Sequence, residues 1–291
     1  MLPTMSNALR IAHGAFGRVA LLDMDAPLVR HAHPHCHVLL KAEGADTQFL
    51  VCNEPVPLTD QSAVLINAWE PHAYVHRSEQ SRTVILALYI EPDWLARFRP
   101  NWAASGGPGF FDHRCGEVSP RIRRLARALA EAMTGAPAAA AEHERLLSEL
   151  MIAVIERFTP WRTLAVSLRT LAQRQRTDFR IRRAVTLIEQ DPARAGGVDL
   201  LAREAGLSRA HFFRLFEHSL HVSPRVFVNV MRMELAVAEV ARGTAALAEV
   251  GDRLGFSVPA HFTRFFRDHA GAPPREFRAV SRLNGVFETS G

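Results

Sequence analysis

The sequence predicts an α+β protein of several domains: an N-terminal β barrel, a helical middle segment and an all-α C-terminal domain with two helix-turn-helix units. Two observations lead to this prediction. Short apolar or alternating runs, separated by turn-forming residues, fill residues 1–100, as is typical of a small barrel or sandwich. A segment near residue 210 recurs fifty residues later, in a region of helical periodicity.

The predicted strands of the barrel lie in residues 1–100, where no helical period is seen. They are residues 16–22, 38–41, 48–52, 63–67, 73–76 and 83–90. Gly, Ser, Ala and Pro then cluster at residues 101–108, which marks a boundary. We therefore assign residues 1–100 to the first domain.

Residues 101–160 are predicted to be helical. Ser119 and Pro120 form an N-cap followed by proline at the first helical position. A second helix, at residues 142–158, has a broad apolar face, made by Leu146, Leu147, Leu150, Met151, Val154, Ile155 and Phe158. This face either packs on the barrel or the preceding helix or forms a dimer interface, and the two readings are compatible. Residues 161–178 are predicted to be a linker and residues 284–291 a tail.

The repeat in the C-terminal half predicts two copies of one structural unit. Residues 210–216 (AHFFRLF) match residues 260–266 (AHFTRFF). In each copy two phenylalanines four residues apart share the core face of a helix, and an arginine, Arg214 or Arg264, points elsewhere. A shorter helix and a glycine turn, at Gly206 or Gly255, precede each copy. This order of elements, a helix, a glycine turn and a second helix with an outward arginine, is the helix-turn-helix pattern.

Charge is divided unevenly along the 291 residues. Residues 1–160 have 15 Lys and Arg against 17 Asp and Glu, whereas residues 161–291 have 20 against 13. A basic helical domain suits a polyanion such as nucleic acid. The alternative is an ordinary solvated surface, since 34 of the 35 basic residues are arginine, a bias that codon usage also produces.

The cysteines and the apolar runs indicate a cellular compartment. Cys36, Cys52 and Cys115 are too few and too scattered for a disulfide framework. The longest apolar run, near residues 83–90, is too short to span a bilayer, and the N-terminus has no signal-peptide pattern. We expect a cytoplasmic protein that does not interact with membranes.

Residues 180–278 resemble the AraC/XylS family of bacterial transcription regulators. The resemblance rests on residues 201–208 (LAREAGLS) before the first copy, Ser223 and Pro224, residues 232–236 (RMELA), residues 255–257 (GFS), residues 261–267 (HFTRFFR) and residues 274–278 (PREFR). It implies a DNA-binding domain at residues 179–283. Two helix-turn-helix units are joined there by one long helix, and their recognition helices enter successive major grooves.

The resemblance also implies which residues face the bases of double-stranded DNA. They are Arg209, Ala210, Phe213 and Arg214 in the first recognition helix, and Pro259, Ala260, Thr263 and Arg264 in the second. Arginine binds guanine through two hydrogen bonds, and threonine contacts a thymine methyl or a base edge. His211 and His261 are expected to pack or cap locally, with a phosphate contact as the alternative.

The sequence departs from the family pattern in two places. His221 stands where the family has the glycine that ends the first recognition helix, as Gly271 ends the second. Val258 and Pro259 replace a polar N-cap and the residue after it, so we expect the second unit to read DNA mainly through Thr263 and Arg264.

The N-terminal histidines resemble the metal motif of the cupin superfamily. His31 and His33 match its His-x-His, His37 its acidic position, Gly44 its glycine and His72 its later histidine. The alternation of His31, His33 and His37 predicts that they share one face of a strand, and neutral imidazoles suit a divalent transition metal. Metal binding by His31, His33, His37 and His72 competes with a metal-free pocket for an organic effector that uses His33, Trp69 and His72, and with purely structural roles. Pro34 interrupts the strand pattern.

These resemblances imply a sequence-specific transcription regulator, an activator, controlled by a small-molecule effector in the barrel. A homodimer and RNA polymerase are the further partners implied. The rivals are a metal-responsive regulator and a metal-dependent cupin enzyme. The enzyme is disfavoured because no general acid or base is identifiable beside the histidines.

Overall fold

The computed structural model describes residues 7–76, 82–98, 102, 105–107, 109–135, 140–159, 178–193, 197–220 and 222–282. Most of the expected linker at residues 161–178, the expected tail at 284–291 and His221 lie outside these residues. Within them the predicted fold class is confirmed: a β-rich N-terminal domain precedes helices that end in two helix-turn-helix units.

The N-terminal domain consists of two antiparallel sheets. Its strands are β1 (Asn7–Gly14), β2 (Gly17–Met24), β3 (Leu28–His31), β4 (Cys36–Gly44), β5 (Thr47–Val51), β6 (Glu54–Leu58), β7 (Ser62–Ile66), β8 (His72–Tyr74), β9 (Thr83–Ile90) and β10 (Cys115–Glu117). The six-stranded sheet has the order β1-β2-β9-β4-β7-β10, and the four-stranded sheet has the order β3-β8-β5-β6. Among the described residues the strands therefore form two sheets, each with two edge strands, and not the closed barrel that the sequence predicted.

Four strands were not predicted from the sequence, and each lies at an edge of its sheet. They are β1 and β10 in the larger sheet and β3 and β6 in the smaller one. Edge strands carry polar residues and proline on their open side, which removes the alternating pattern. In β6, Pro55 and Pro57 are both exposed. A short helix, α1 (Pro92–Phe98), also begins within the range predicted to be β.

The six-stranded sheet has a core on each face. One face meets the four-stranded sheet, where Ile11, Leu39 and Ile85 pack with Phe49 and Tyr74. The other face is covered by α2 (Pro120–Thr134) and α3 (Ala140–Phe158). Ser119 caps α2 as predicted, because its hydroxyl oxygen accepts a hydrogen bond from the backbone N–H of Ile122 at 3.2 Å.

The broad apolar face of α3 is buried within the single chain. Leu147, Leu150, Met151, Val154 and Ile155 are all buried in the core that α3 shares with the sheet and α2. The packing interpretation therefore describes this face. A homodimer stays a prediction, and it requires a surface other than this one.

The C-terminal domain contains seven of the ten described helices. They are α4 (Phe179–Gln190), α5 (Val198–Glu204), α6 (Arg209–Leu220), α7 (Pro224–Arg242), α8 (Leu247–Arg253), α9 (Pro259–Ala270) and α10 (Pro274–Arg282). Helices α5 and α6 form the first helix-turn-helix unit, and α8 and α9 form the second. Gly206 and Gly255 have φ angles of 64° and 81°, a conformation that favours glycine in the turn of each unit.

The two halves of the chain are in contact. Helix α7 joins the helix-turn-helix units, and its buried residues contribute to the cores of both. Helix α10 packs beside β1, and α9 beside β3. No helix in the described ranges is both long enough and apolar enough to cross a bilayer.

Candidate functional site

The two recognition helices present the predicted base-facing residues on an open surface. In α6, Arg209, Ala210 and Arg214 are exposed and Phe213 is half-buried. In α9, Pro259, Ala260, Thr263 and Arg264 are all exposed. The opposite side of each helix is held in the core by Phe212 and Phe216, or by Phe262 and Phe266, which are at most 1% exposed.

The exposed arginines differ in their contacts. The Arg209 guanidinium lies 3.2 Å from the Asp199 carboxylate and 5.8 Å from the centre of the Phe213 ring. Arg214 and Arg264 make no ion pair or hydrogen bond with any other described residue. Their guanidinium groups keep all five donors for an external acceptor.

The start of α9 matches the expectation from its sequence. Val258 at the N-cap makes no side-chain capping bond, and Pro259 follows at the first helical position. The expectation for His211 and His261 was wrong, because both side chains are exposed and neither packs in a core. Each histidine follows directly on a predicted base-facing alanine, where phosphates approach a recognition helix.

Four histidines of the N-terminal domain meet where β3 and β8 of the smaller sheet approach β4 of the larger one. His31 ends β3, His33 lies in the connection that follows, His37 is in β4 and His72 begins β8. The prediction that the first three share one strand was wrong, because the chain leaves β3 before Pro34, which has no N–H to donate to a ladder. They meet instead by tertiary contacts. His31 pairs with His72 across β3 and β8, and the His33 carbonyl accepts a 2.7 Å hydrogen bond from the Trp69 N–H.

Three of these histidines have ring nitrogens close enough together to be ligands of a single metal ion. One ring nitrogen from each of His31, His33 and His72 lies within 4.8 Å of the other two. His37 lies outside this group of three, and its ring stacks on Tyr89 at 4.2 Å between centroids. All four histidines are at most 6% exposed.

Five ring nitrogens in this cluster lack hydrogen-bond partners in the described part of the chain. These nitrogens are buried: both of His33, both of His37 and Nε2 of His72. A buried polar atom without a partner costs about 1–3 kcal/mol. Such nitrogens are therefore destabilising unless an ion or a ligand occupies the space between them.

Burial keeps the cluster uncharged. Desolvation, followed by repulsion among the histidines, lowers the pKa values of His31, His33 and His37 well below the usual histidine value. Desolvation also lowers the pKa of His72 to about 4. Neutral imidazole is the form that binds transition metals.

The cluster lies against the C-terminal domain. Nδ1 of His33 is 3.6 Å from Oε1 of Glu234 on α7. The Trp69 indole stacks on Phe227 of the same helix, with 4.4 Å between centroids and 8° between planes. One face of Trp69 is thus covered by protein. The role of Trp69 as a stacking residue of an effector pocket with His33 and His72 stays a prediction.

A cavity of about 270 Å³ lies beside the cluster, between β1, β2, β9 and helix α7. Its lining includes His13, Arg18, Tyr89, Glu234 and Arg242. The Arg18 guanidinium lies 3.8 Å from the centre of the Tyr89 ring. Neither Arg18, Tyr89 nor Glu234 was predicted as a site residue, because nothing in their local sequence distinguishes them from ordinary strand and helix residues.

Comparison with known proteins identifies both halves of the chain. A model of the AraC-like ligand binding domain matches residues 24–152, and a model of a helix-turn-helix domain matches residues 201–279. A helix-turn-helix-type transcriptional regulator of Haemophilus influenzae is 27% identical over 101 residues, which are 35% of this chain and 34% of the relative. An AraC-like transcription regulator of Streptomyces lividans is 30% identical over 95 residues, 33% of this chain and 31% of the relative. These alignments thus span about a third of each relative.

The fold of nearly the whole chain has a known counterpart. The apo form of ToxT from Vibrio cholerae matches 93% of this chain and 99% of its own, with a TM-score of 0.55 and 12% identity. At that identity the likeness concerns the fold alone. The two domain matches define a two-domain chain in which an AraC-like ligand-binding domain precedes a helix-turn-helix domain.

Proposed function

We propose that the protein regulates transcription by binding specific double-stranded DNA through α6 and α9, and that a ligand of the N-terminal domain controls this binding. The observation that carries the proposal is the pair of exposed recognition faces. Each has an arginine, Arg214 or Arg264, without a partner among the described residues, on a helix whose opposite side is buried. Rigid helices with open arginines suit base edges in two major-groove segments.

Selection of random double-stranded DNA by the purified protein tests this function. The selected fraction is sequenced after binding at physiological salt, because phosphate contacts dominate at low salt. We expect a motif with two conserved segments about one helical turn apart. An unenriched pool at a salt concentration where the protein still binds DNA would contradict sequence-specific recognition.

The ligand that the N-terminal domain supports best is a divalent transition metal ion. His31, His33 and His72 would hold it, since they bring three ring nitrogens within 4.8 Å in a buried, uncharged site. Imidazole ligands suit zinc, nickel, copper and iron. Three protein ligands leave a coordination position for a further donor.

A small organic effector is the second candidate. It is favoured by the cavity of about 270 Å³, which is lined by residues of both domains, including Arg18 and Arg242, with the Arg18 guanidinium over the Tyr89 ring. Apolar walls with a few placed charges are typical of small-molecule sites. The two candidates are compatible, because Glu234 lines the cavity and also lies beside His33.

Metal analysis of the purified protein tests the first candidate. We expect one transition metal ion per chain, loss of that ion on chelation, and a change in DNA affinity between the two forms. His31→Ala should abolish metal binding. His35→Ala is the matched control, because His35 lies close in sequence but binds the Glu91 carboxylate, at 3.1 Å, outside the cluster. Equal metal content in the two variants would contradict the site.

We further propose that the protein activates transcription as a homodimer that contacts RNA polymerase, a proposal that rests on the resemblance of its two domains to the AraC family. A reporter gene placed behind the selected DNA motif should be expressed more strongly when the protein is present. Sedimentation of the purified protein should give twice the mass of the 32.4 kDa chain. Reduced reporter expression would assign the opposite sign of regulation.

A further inference from the structure

The three histidines of the candidate metal site differ in what lies beside their second ring nitrogen. Nδ1 of His31 is 2.7 Å from the Val29 carbonyl, and Nδ1 of His72 is 3.0 Å from the Glu70 carbonyl. Both acceptors belong to the N-terminal domain. Nδ1 of His33 instead faces the Glu234 carboxylate, which belongs to helix α7 of the C-terminal domain. The site is thus supported by two acceptors of its own domain and one from the other.

One oxygen of the Glu234 carboxylate is available to accept a hydrogen bond. Its Oε1 is buried and makes no hydrogen bond within the described residues, and its side chain is 23% exposed. The 3.6 Å to His33 is an ion-pair distance, slightly longer than a hydrogen bond. A small rotation of either side chain brings the two atoms into hydrogen-bond range. Both groups therefore gain a partner from the same contact.

A metal-binding histidine needs such an acceptor. Histidine ligands donate their other ring N–H to a carboxylate or a carbonyl, which selects the tautomer, orients the ring and raises the basicity of the ligating nitrogen. His31 and His72 already have this arrangement through backbone carbonyls. A carboxylate does more than a carbonyl, because its negative charge strengthens the donated bond.

We propose that Glu234 is the positioning residue of His33, so that the C-terminal domain completes the metal site of the N-terminal domain. The Nδ1–H of His33 donates to Glu234, and Nε2 of His33 faces the ion together with His31 and His72. This inference rests on the proposed metal binding at those three histidines. It adds that a residue of the helix joining the two helix-turn-helix units controls the affinity for metal.

The contact gives the metal a direct connection to the DNA-binding units. Glu234 lies two helical turns after Phe227, which stacks on Trp69, and the Trp69 N–H donates to the carbonyl of His33. His33 and Trp69, which are joined by this backbone hydrogen bond, therefore each contact α7, through Glu234 and Phe227 respectively. A movement of α7 that removes Glu234 from His33 weakens metal binding, and by linkage metal binding favours the arrangement that keeps the contact.

Titration with Co²⁺, followed by its visible absorption, tests the inference on the full-length protein. We expect Glu234→Ala to weaken Co²⁺ binding by about 10–100-fold, the range seen when such supporting groups are removed. Glu234→Gln should be intermediate, because its amide oxygen accepts a hydrogen bond without the charge. Glu239→Gln is the control on the same helix, where the carboxylate pairs with Arg253 away from the histidines.

Two further measurements separate positioning from other roles. The absorption bands of bound Co²⁺ should keep their energies in Glu234→Gln, since the ligands are unchanged, whereas shifted bands would make Glu234 a ligand and overturn the proposal. The selected DNA should change Co²⁺ affinity in the wild type and change it less in Glu234→Ala. Equal Co²⁺ affinity in Glu234→Ala and the wild type overturns this inference alone. A wild type that binds no Co²⁺ overturns the metal site as well.

Discussion

Arg264 is an exposed side chain on a helix whose opposite side is anchored in the core. Its helix is anchored by Phe262 and Phe266, which lie on the core side, while the guanidinium has no partner among the described residues. Arginine in this setting binds guanine O6 and N7 together. Arg214 has the same position in the first unit, so the repeat supplies two equivalent donors.

We predict that Arg264→Ala weakens binding to the selected DNA by about 1–3 kcal/mol and relaxes the preference at one base pair. The measurement is the binding of single-base variants of the motif. Arg253→Ala serves as the control, because Arg253 pairs with Glu239 and lies on the helix that precedes the turn. An equal loss on every sequence would show that Arg264 holds phosphate instead.

His13 on β1 makes stability depend on pH. Burial, followed by repulsion from Arg18 and Arg242, lowers its pKa from 6.5 to about 3. Between pH 3 and 6.5 the unfolded chain therefore binds a proton that the folded chain does not. The free energy of unfolding must fall as the pH falls through this window.

We predict that His13→Gln reduces this dependence. Between pH 7 and pH 5 the metal-free wild type should lose about 1–2 kcal/mol more stability than the variant, because only the wild type has this histidine to protonate on unfolding. Urea unfolding of both proteins in the presence of a chelator measures the difference, and the shared histidine cluster contributes equally to both. If the free energies of unfolding of the two proteins changed equally with pH, a group other than His13 would be responsible for the pH dependence.

At the scale of elements, each recognition helix depends on its two phenylalanines. Helix α9 has no side-chain cap at Val258 and contains only 12 residues, so its own propensity gives it little stability. Phe262 contacts the preceding helix, where its Cβ lies 3.1 Å from the position that a side chain at Gly251 would take. The tertiary contact therefore holds the helix in place.

We predict that Phe262→Ala lowers the free energy of unfolding by about 3–5 kcal/mol, since it leaves a cavity in a packed core. Phe179→Ala is the matched control, because Phe179 is 68% exposed and its removal opens no cavity. Denaturant unfolding monitored by helical circular dichroism distinguishes the two. A variant that unfolds at the wild-type midpoint would refute the core position of Phe262.

At the scale of the whole molecule, α7 sets the distance between the two recognition helices. It is one continuous helix of 19 residues, capped by Ser223 at its start, and it packs with both helix-turn-helix units. The same helix carries Phe227 and Glu234 to the N-terminal domain. One element therefore governs both the spacing on DNA and the contact with the candidate ligand site.

We predict that inserting five base pairs between the two segments of the selected motif abolishes binding to both at once. The rigid helix cannot follow a half-turn rotation of the second segment around the duplex. Ten inserted base pairs should also reduce affinity, because they restore the face but lengthen the distance by about 34 Å. Competition binding measures each case, and undiminished affinity for both insertions would show that the units move independently.

The elements that could be predicted from the sequence are those that depend on residues close together in the chain. The repeat, its glycine turns and the phenylalanines at helical spacing specified α5, α6, α8 and α9, because each depends on residues within a few positions of one another. The four missed strands, β1, β3, β6 and β10, form the sheet edges, where open backbone tolerates polar residues and proline. The residue pattern of an edge strand therefore does not predict that the strand pairs in a sheet.

The sequence by itself determined the fold class, the two helix-turn-helix units and the identity of the candidate histidines, since these follow from periodicity, turn chemistry and motif spacing. Only the tertiary structure decided how the histidines meet. His31, His33 and His72 converge from a strand end, a loop and a second strand, and Glu234 joins them from another domain. Contacts between residues so far apart in the chain depend on how the sheets and helices pack, and no local pattern encodes that packing.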